Sequence, residues 1–362
     1  MKKIYIAFVA VILILCAIIV IPDNFFDQIS SRQKTFIGVL MLGNRQESAW
    51  NRSHLHALES LKGQMNLDIT YADNILTNEA CLDSIASFMQ RGIRLVFSTN
   101  ISFENCVDNA ERTFPEMRFF QVSGTKTSAH KSIYFGRMYQ MRYLAGIAAG
   151  RMTKTNNIGY VASFPTNEVN RGINAFALGA RSINPKAKIL IAWTSSWNDY
   201  RKEESAAFSL ISKKKVDVIT SHEDNLATLD VAESNNIYCI GYNEPSLDKY
   251  PKSGLFSIYF NWASFYRKAI AEFQQDRFIS ASYWYGIDSD VIKMSEPMKK
   301  ISPLALEMIA QKRMAFLNGT WDVFYGPIKD DSGTLRVQKG ESLSDAQLSV
   351  EMDWFVEGVE SK

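Results

Sequence analysis

The sequence predicts an α/β protein of two lobes with parallel sheets and a hinge, preceded by an N-terminal membrane helix. Three observations carry this. Short apolar runs alternate with segments of helical periodicity, the alternation restarts near residue 155, and the opening residues form one long apolar stretch. Alternating strand and helix patterns give parallel sheets with helices on their faces. The strands are too numerous for one comfortable open sheet, and 362 residues accommodate two domains.

The elements follow in order. After Lys2 and Lys3, the segment from Ile4 to Ile21 carries no charge, and at about 1.5 Å per residue it matches the hydrocarbon core of a bilayer. A signal peptide would have a shorter apolar region, and no A-x-A precedes Pro22. A lipid-modified cysteine at Cys16 would want a small residue before it, where Leu15 stands. Residues 1–24 therefore read as an uncleaved signal anchor, with its lysines cytoplasmic and the rest of the chain exported on the periplasmic or outer face.

The predicted strands of the first lobe are 36–42, 67–71, 93–97 and 118–122. Those of the second are 158–162, 188–193, 216–220 and 237–241, followed by "LFSIY" at 255–259. Between them lie helical patterns such as Leu55, Leu58, Leu61 and Met65. A helix over 137–152 places Met138, Met141, Ala145, Ala148 and Met152 on one face, and its Ala145, Gly146, Ala149 and Gly150 let a neighbour approach closely. That helix leads into the second lobe. The lobes are expected at 35–132 plus about 262–278, and at 133–261 plus about 279–362 with a C-terminal tail.

Composition narrows the function classes. Lys+Arg (40) and Asp+Glu (38) nearly cancel, and the run Lys213 to Lys215 reads as a solvated helix end rather than part of a basic stripe, so nucleic acid is not an expected partner. Three cysteines lie beyond the apolar segment, Cys81, Cys106 and Cys239, an odd number that excludes complete internal pairing. Cys81 and Cys106 begin the helices flanking strand 93–97. If both helices cover one sheet face a disulfide fits, though nothing in the sequence sets the sulfur distance. No Cys/His spacing suggests a metal, no cofactor is expected, and the carboxylates near the predicted cleft are scattered over separate loops, without the grouping that acid–base catalysis needs.

Two such lobes leave a cleft at the carboxyl ends of their strands, where open α/β sheets bind ligands. The candidate residues therefore follow strands. After the first, Gly43 and Asn44 end the strand, and Trp50 and Asn51 precede a helix. After 188–193, whose last residue Trp193 belongs to the core, come Trp197 and Asp199; Asp199 either caps a helix starting near Tyr200 or reads a ligand edge. Further along come His222, Glu223 and Asp224, then Tyr242 and Asn243, then Asn261 and Trp262. Three of these loops carry tryptophan. Flat aromatic faces beside a few amides and carboxylates suit a planar heterocycle, with stacking for affinity and edge hydrogen bonds for identity.

The segments 134–165 ("YFGRMYQMRYLAGIAAGRM…"), 171–199 ("RGINAFALGARSINP…"), 319–337 and 352–359 closely resemble the basic membrane protein family, substrate-binding proteins of the purine nucleoside receptor type that serve ABC transporters. The resemblance covers about residues 35 to 360. It implies a type I periplasmic-binding-protein fold of two Rossmann-like lobes closing on a purine nucleoside or related ligand, an ABC permease as partner, and no catalysis. "ESAWN" (47–51) stands where the family has D-x-S-F-N: Trp50 replaces the stacking Phe, Asn51 is kept, and Glu47 stands for Asp. Ser123 and Asn243 stand where the family often has Asp, and Phe260 where it has Lys. With those ribose-suited groups changed, the expected ligand is a free purine base such as adenine, stacked by Trp50, Trp197 and Trp262. Asn51, Asp199, His222, Asp224 and Asn261 are the candidate edge readers, and Asn243 is a further candidate ligand-binding residue. The alternative is a membrane-anchored sensory protein that reports ligand to a partner. A nucleosidase lacks its carboxylate cluster, and a transcriptional regulator of this fold would carry a DNA-binding headpiece where this chain has the apolar segment.

Overall fold

The computed structural model describes residues 34–361; the segment predicted as an anchor, with Cys16, lies outside them. Among the described residues no helix is long and apolar enough to cross a membrane.

Six parallel strands form the first sheet: β1 (Thr35–Leu40), β2 (Leu67–Ala72), β3 (Leu95–Ser98), β4 (Arg118–Val122), β5 (Lys131–Gly136) and β11 (Ser282–Tyr285), in spatial order β11-β5-β4-β3-β1-β2. The second holds β6 (Asn157–Ala162), β7 (Lys188–Trp193), β8 (Val218–His222), β9 (Tyr238–Tyr242), β10 (Gly254–Phe260), β12 (Ile292–Met294) and β13 (Val359–Glu360), in order β12-β10-β9-β8-β6-β7-β13. Only the β10–β12 pair in it is antiparallel. The strands are apolar because helices cover both faces; β3, for example, is buried at all four residues.

Strands β5 and β11 both lie in the first sheet, although the sequence reading begins the second lobe at 133 and gives it everything after about 279. The chain crosses between sheets after Gly136, after Phe260 and after Tyr285. These crossings pack tightly: a Cβ on Gly136 would sit 2.7 Å from both Ile292 and Phe260. Glycine leaves room there for the side chains that the other two crossings bring against it.

Helix α4 (Met138–Met152) is buried through its first thirteen residues and lies against α5 (Asn167–Ile183). Added Cβ atoms on Gly146 and Gly179 would come within 2.0 Å of the carbonyl oxygens of Phe176 and Tyr143. The small residues are thus the contact surface of two helices whose backbones touch. The C-terminal tail is held by the same α5, where Asn170 and Asn174 donate to the carbonyls of Met352 and Trp354 at 2.9 Å. In the first lobe Cys81 and Cys106 are disulfide-bonded, with Cα atoms 6.2 Å apart, joining α2 (Asn78–Gln90) to α3 (Glu104–Thr113). Cys239 is free and buried.

Candidate functional site

In each sheet the strand order reverses beside its first strand, between β1 and β3 and between β6 and β8. The loops that diverge there leave a crevice. The two crevices face one another around a cavity of about 510 Å³.

The first-lobe wall is built on α1 (Ala49–Lys62). Ser48 caps it, its hydroxyl accepting from the Asn51 N–H at 3.0 Å, so Trp50 and Asn51 lie in the first helical turn rather than before it. The Trp50 indole donates to the Thr99 carbonyl at 2.7 Å and has Phe260 edge-on at 5.5 Å, which hold the ring on the cavity wall beside Phe135. Asn51 is buried, and its amide nitrogen donates to the carbonyls of Leu42 and Asn44 at 2.8 and 3.0 Å. It fastens the β1–α1 loop.

The second-lobe wall carries Trp197, 40% exposed, with its ring 5.9 Å from Phe164 and 6.3 Å from His222. Burial pushes His222 down to about 4, so it is neutral at pH 7, with Nδ1 3.3 Å from the Tyr160 hydroxyl and Nε2 3.1 Å from that of Tyr242. Asp224 accepts from the Asn243 amide at 2.8 Å, and burial raises its carboxyl to about 7 despite that bond. Ser123 and Asn243, just past β4 and β9, take left-handed φ of 58° and 65°. Non-glycine residues held this way cluster at ligand sites, and asparagine tolerates the conformation well.

The lobes touch across the cavity. The Ala49 N–H donates to the Asp224 carbonyl at 2.8 Å, and Arg52 pairs with Glu244 at 3.1 Å.

Six of the nine residues singled out in the sequence line this cavity: Trp50, Asn51, Trp197, His222, Asp224 and Asn243. Three do not. Asp199 is the N-cap of α6 (Tyr200–Lys214), accepting from the Lys202 N–H at 3.1 Å. Trp262 is 1% exposed, stacked between Phe260 and His54 at 4.6 Å from each, because it opens α7 (Trp262–Gln274) just after the chain crosses back onto the first lobe. Asn261 ties that crossing to the next one, donating to Asp290 at 3.0 Å.

The sequence reading overlooked Phe135 and Glu168 on the wall. Glu168 follows β6, the loop at the second lobe's strand-order reversal, and sits in the first turn of α5 behind the cap Thr166. The sequence carries a signal for it: β6 is the first strand of the restarted pattern, as β1 is of the first, so the loop after β6 is the counterpart of the loop after β1. Burial opposes ionisation of Glu168, but His222, Arg171 and Arg142 outweigh it and hold the carboxyl below its usual range. Among the described residues no group of three or more His, Cys, Asp or Glu could hold a metal ion.

Known proteins share this architecture. The sequence model of the Bmp family, described as ABC transporter substrate-binding protein PnrA-like, matches residues 34–319. A purine-binding protein of Brucella abortus is 28% identical over 334 residues, covering 92% of this chain and 95% of its own. A protein of Haloferax volcanii named as a candidate ABC transporter glucose-binding protein is 30% identical over 314 residues, 86% of this chain and 77% of its own. Among solved structures, an ABC transporter solute-binding protein from Aeropyrum pernix superposes with a TM-score of 0.69 at 13% identity, over 88% of this chain and 100% of that one, a likeness of fold. Matched over most of its length, the chain belongs to the Bmp family of PnrA-like ABC transporter substrate-binding proteins, which bind solutes and are not enzymes.

Proposed function

We propose that this chain captures a purine in the cleft between its lobes, the free base in preference to the nucleoside, and presents it to an ABC permease for uptake, tethered to the membrane by its N-terminal segment. One observation carries the reading: Trp50 from the first lobe and Trp197 from the second line the same cavity. A flat ring gripped from both lobes contacts both, and so favours the closed arrangement over the open one by its differential binding. The named ligand of the Brucella relative supports the same class. The preference for the base rests on Phe260, which takes the place of a family lysine and packs its ring edge-on against Trp50 and flat on Trp262, leaving no cation there for a ribose hydroxyl.

The experiment is isothermal titration of the purified protein with adenine, guanine, adenosine, guanosine and, because of the Haloferax relative, D-glucose. Adenine or guanine is expected to bind more tightly than its nucleoside. Tighter nucleoside binding overturns the base preference, and binding of glucose without any purine overturns the reading as a whole.

A further inference from the structure

The geometry points to Glu168 as the specificity-determining acceptor of the cleft, reading the exocyclic 6-amino group of the ligand and so selecting adenine over its 6-oxo analogue. The inference rests on the purine reading above.

Several polar groups on the wall are already held. The Asn51 amide nitrogen is held by two carbonyls, that of Asn243 by Asp224, and the Trp50 indole by Thr99. Both ring nitrogens of His222 have tyrosine partners. Among the described residues, two carboxylates on the wall are unheld, Glu47, which is exposed, and Glu168, which is half-buried. The Glu168 carboxylate makes no hydrogen bond among them, stands 3.8 Å from His222 Nε2, and leaves its side chain 35% exposed toward the cleft. Behind it lie two buried cations. Arg171, 6% exposed, donates to the Leu348 carbonyl, and Arg142, fully buried, donates to the Ser221 carbonyl with Nε and Nη2 unpartnered. Burial opposes ionisation, but together with His222 these charges hold the carboxyl below its usual range.

An ionised carboxylate only accepts hydrogen bonds. It pairs with the exocyclic amine of adenine and repels the carbonyl oxygen that replaces it in hypoxanthine. A site built around such a bond rejects the analogue that cannot make it far more strongly than an apolar pocket would. Glu168 also lines an adjoining chamber of about 380 Å³ that shares Phe135 with the cleft.

The test is titration of the wild-type full chain and of Glu168→Gln with adenine and with hypoxanthine. The substitution keeps shape, removes charge and adds a donor. Wild type is expected to favour adenine by at least about tenfold. The variant should lose roughly tenfold or more for adenine and hold or gain for hypoxanthine, collapsing the ratio. A purely structural role would weaken both bases equally, and that result, or an unchanged ratio, overturns the assignment while leaving the purine reading intact. If neither base binds wild type, the purine reading falls and this inference with it.

Discussion

At the scale of single residues, Trp50 and Trp197 are held differently: the Trp50 indole is hydrogen-bonded to the Thr99 carbonyl, whereas among the described residues no hydrogen bond holds the Trp197 ring. Trp197 is 40% exposed and makes loose ring contacts, so its removal should touch ligand and little else. Trp197→Ala is expected to lose about 1–3 kcal/mol of purine affinity by titration calorimetry with an unchanged melting temperature. Unchanged affinity would remove Trp197 from the site. Three buried acids make a second prediction. Burial raises Glu223 to about 9, and Glu203 and Asp224 to about 7. Each therefore holds a proton in the folded state that the unfolded chain releases near pH 4, so its contribution to stability is fullest below that value and is lost as pH rises toward 9. Melting temperature measured from pH 5 to pH 9 should decline, and Glu223→Gln should flatten the upper part of the decline because its Oε1 can still accept from Thr194. A variant that tracks wild type across the range would show that Glu223 does not titrate there. Trp197, His222 and Asp224 were legible in the sequence because they follow strands. Asp199 follows one too, but its side chain caps a helix, and no local pattern tells a cap from a ligand contact until the position of the loop is known.

At the scale of elements, the α4–α5 contact sets two opposing effects against each other. Gly146→Ala gains about 1 kcal/mol of helix propensity, but its Cβ would be placed 2.0 Å from the Phe176 carbonyl oxygen. Overpacking of that kind costs about 3 kcal/mol or more when backbone must move. Net destabilisation of about 2 kcal/mol is expected in urea unfolding, and a stabilised variant would mean the helices can part without penalty. This contact was readable in advance from small residues one helical turn apart. Strands β5 and β11 were not. β5 runs straight into a helix without a turn signal, and β11 is a four-residue strand whose partner lies well over a hundred residues earlier.

At the scale of the whole molecule, the lobes meet through contacts that a ligand must reinforce. The Arg52–Glu244 pair crosses the cleft at 3.1 Å with both side chains about a quarter exposed, so its worth is in the range of about 0–1 kcal/mol. Arg52→Ala should therefore weaken purine binding by no more than about fivefold, chiefly through faster release, measured by stopped-flow tryptophan fluorescence. A loss of a hundredfold would make the pair a main latch rather than a rim contact. The disulfide of the first lobe agrees with an exported domain.

The sequence by itself determined the class of fold, the order of nearly all strands and helices, and the family, because periodicity records which face of an element is buried and long ordered segments record common descent. It also identified most of the strand-end loops that reach the cleft. Only the tertiary structure decided that Trp262 faces inward, that Asn261 braces a crossing, and that Glu168 stands free on the wall. Those outcomes depend on where the chain passes from one sheet to the other and on which loop ends converge, and such long-range juxtapositions leave no trace in local spacing.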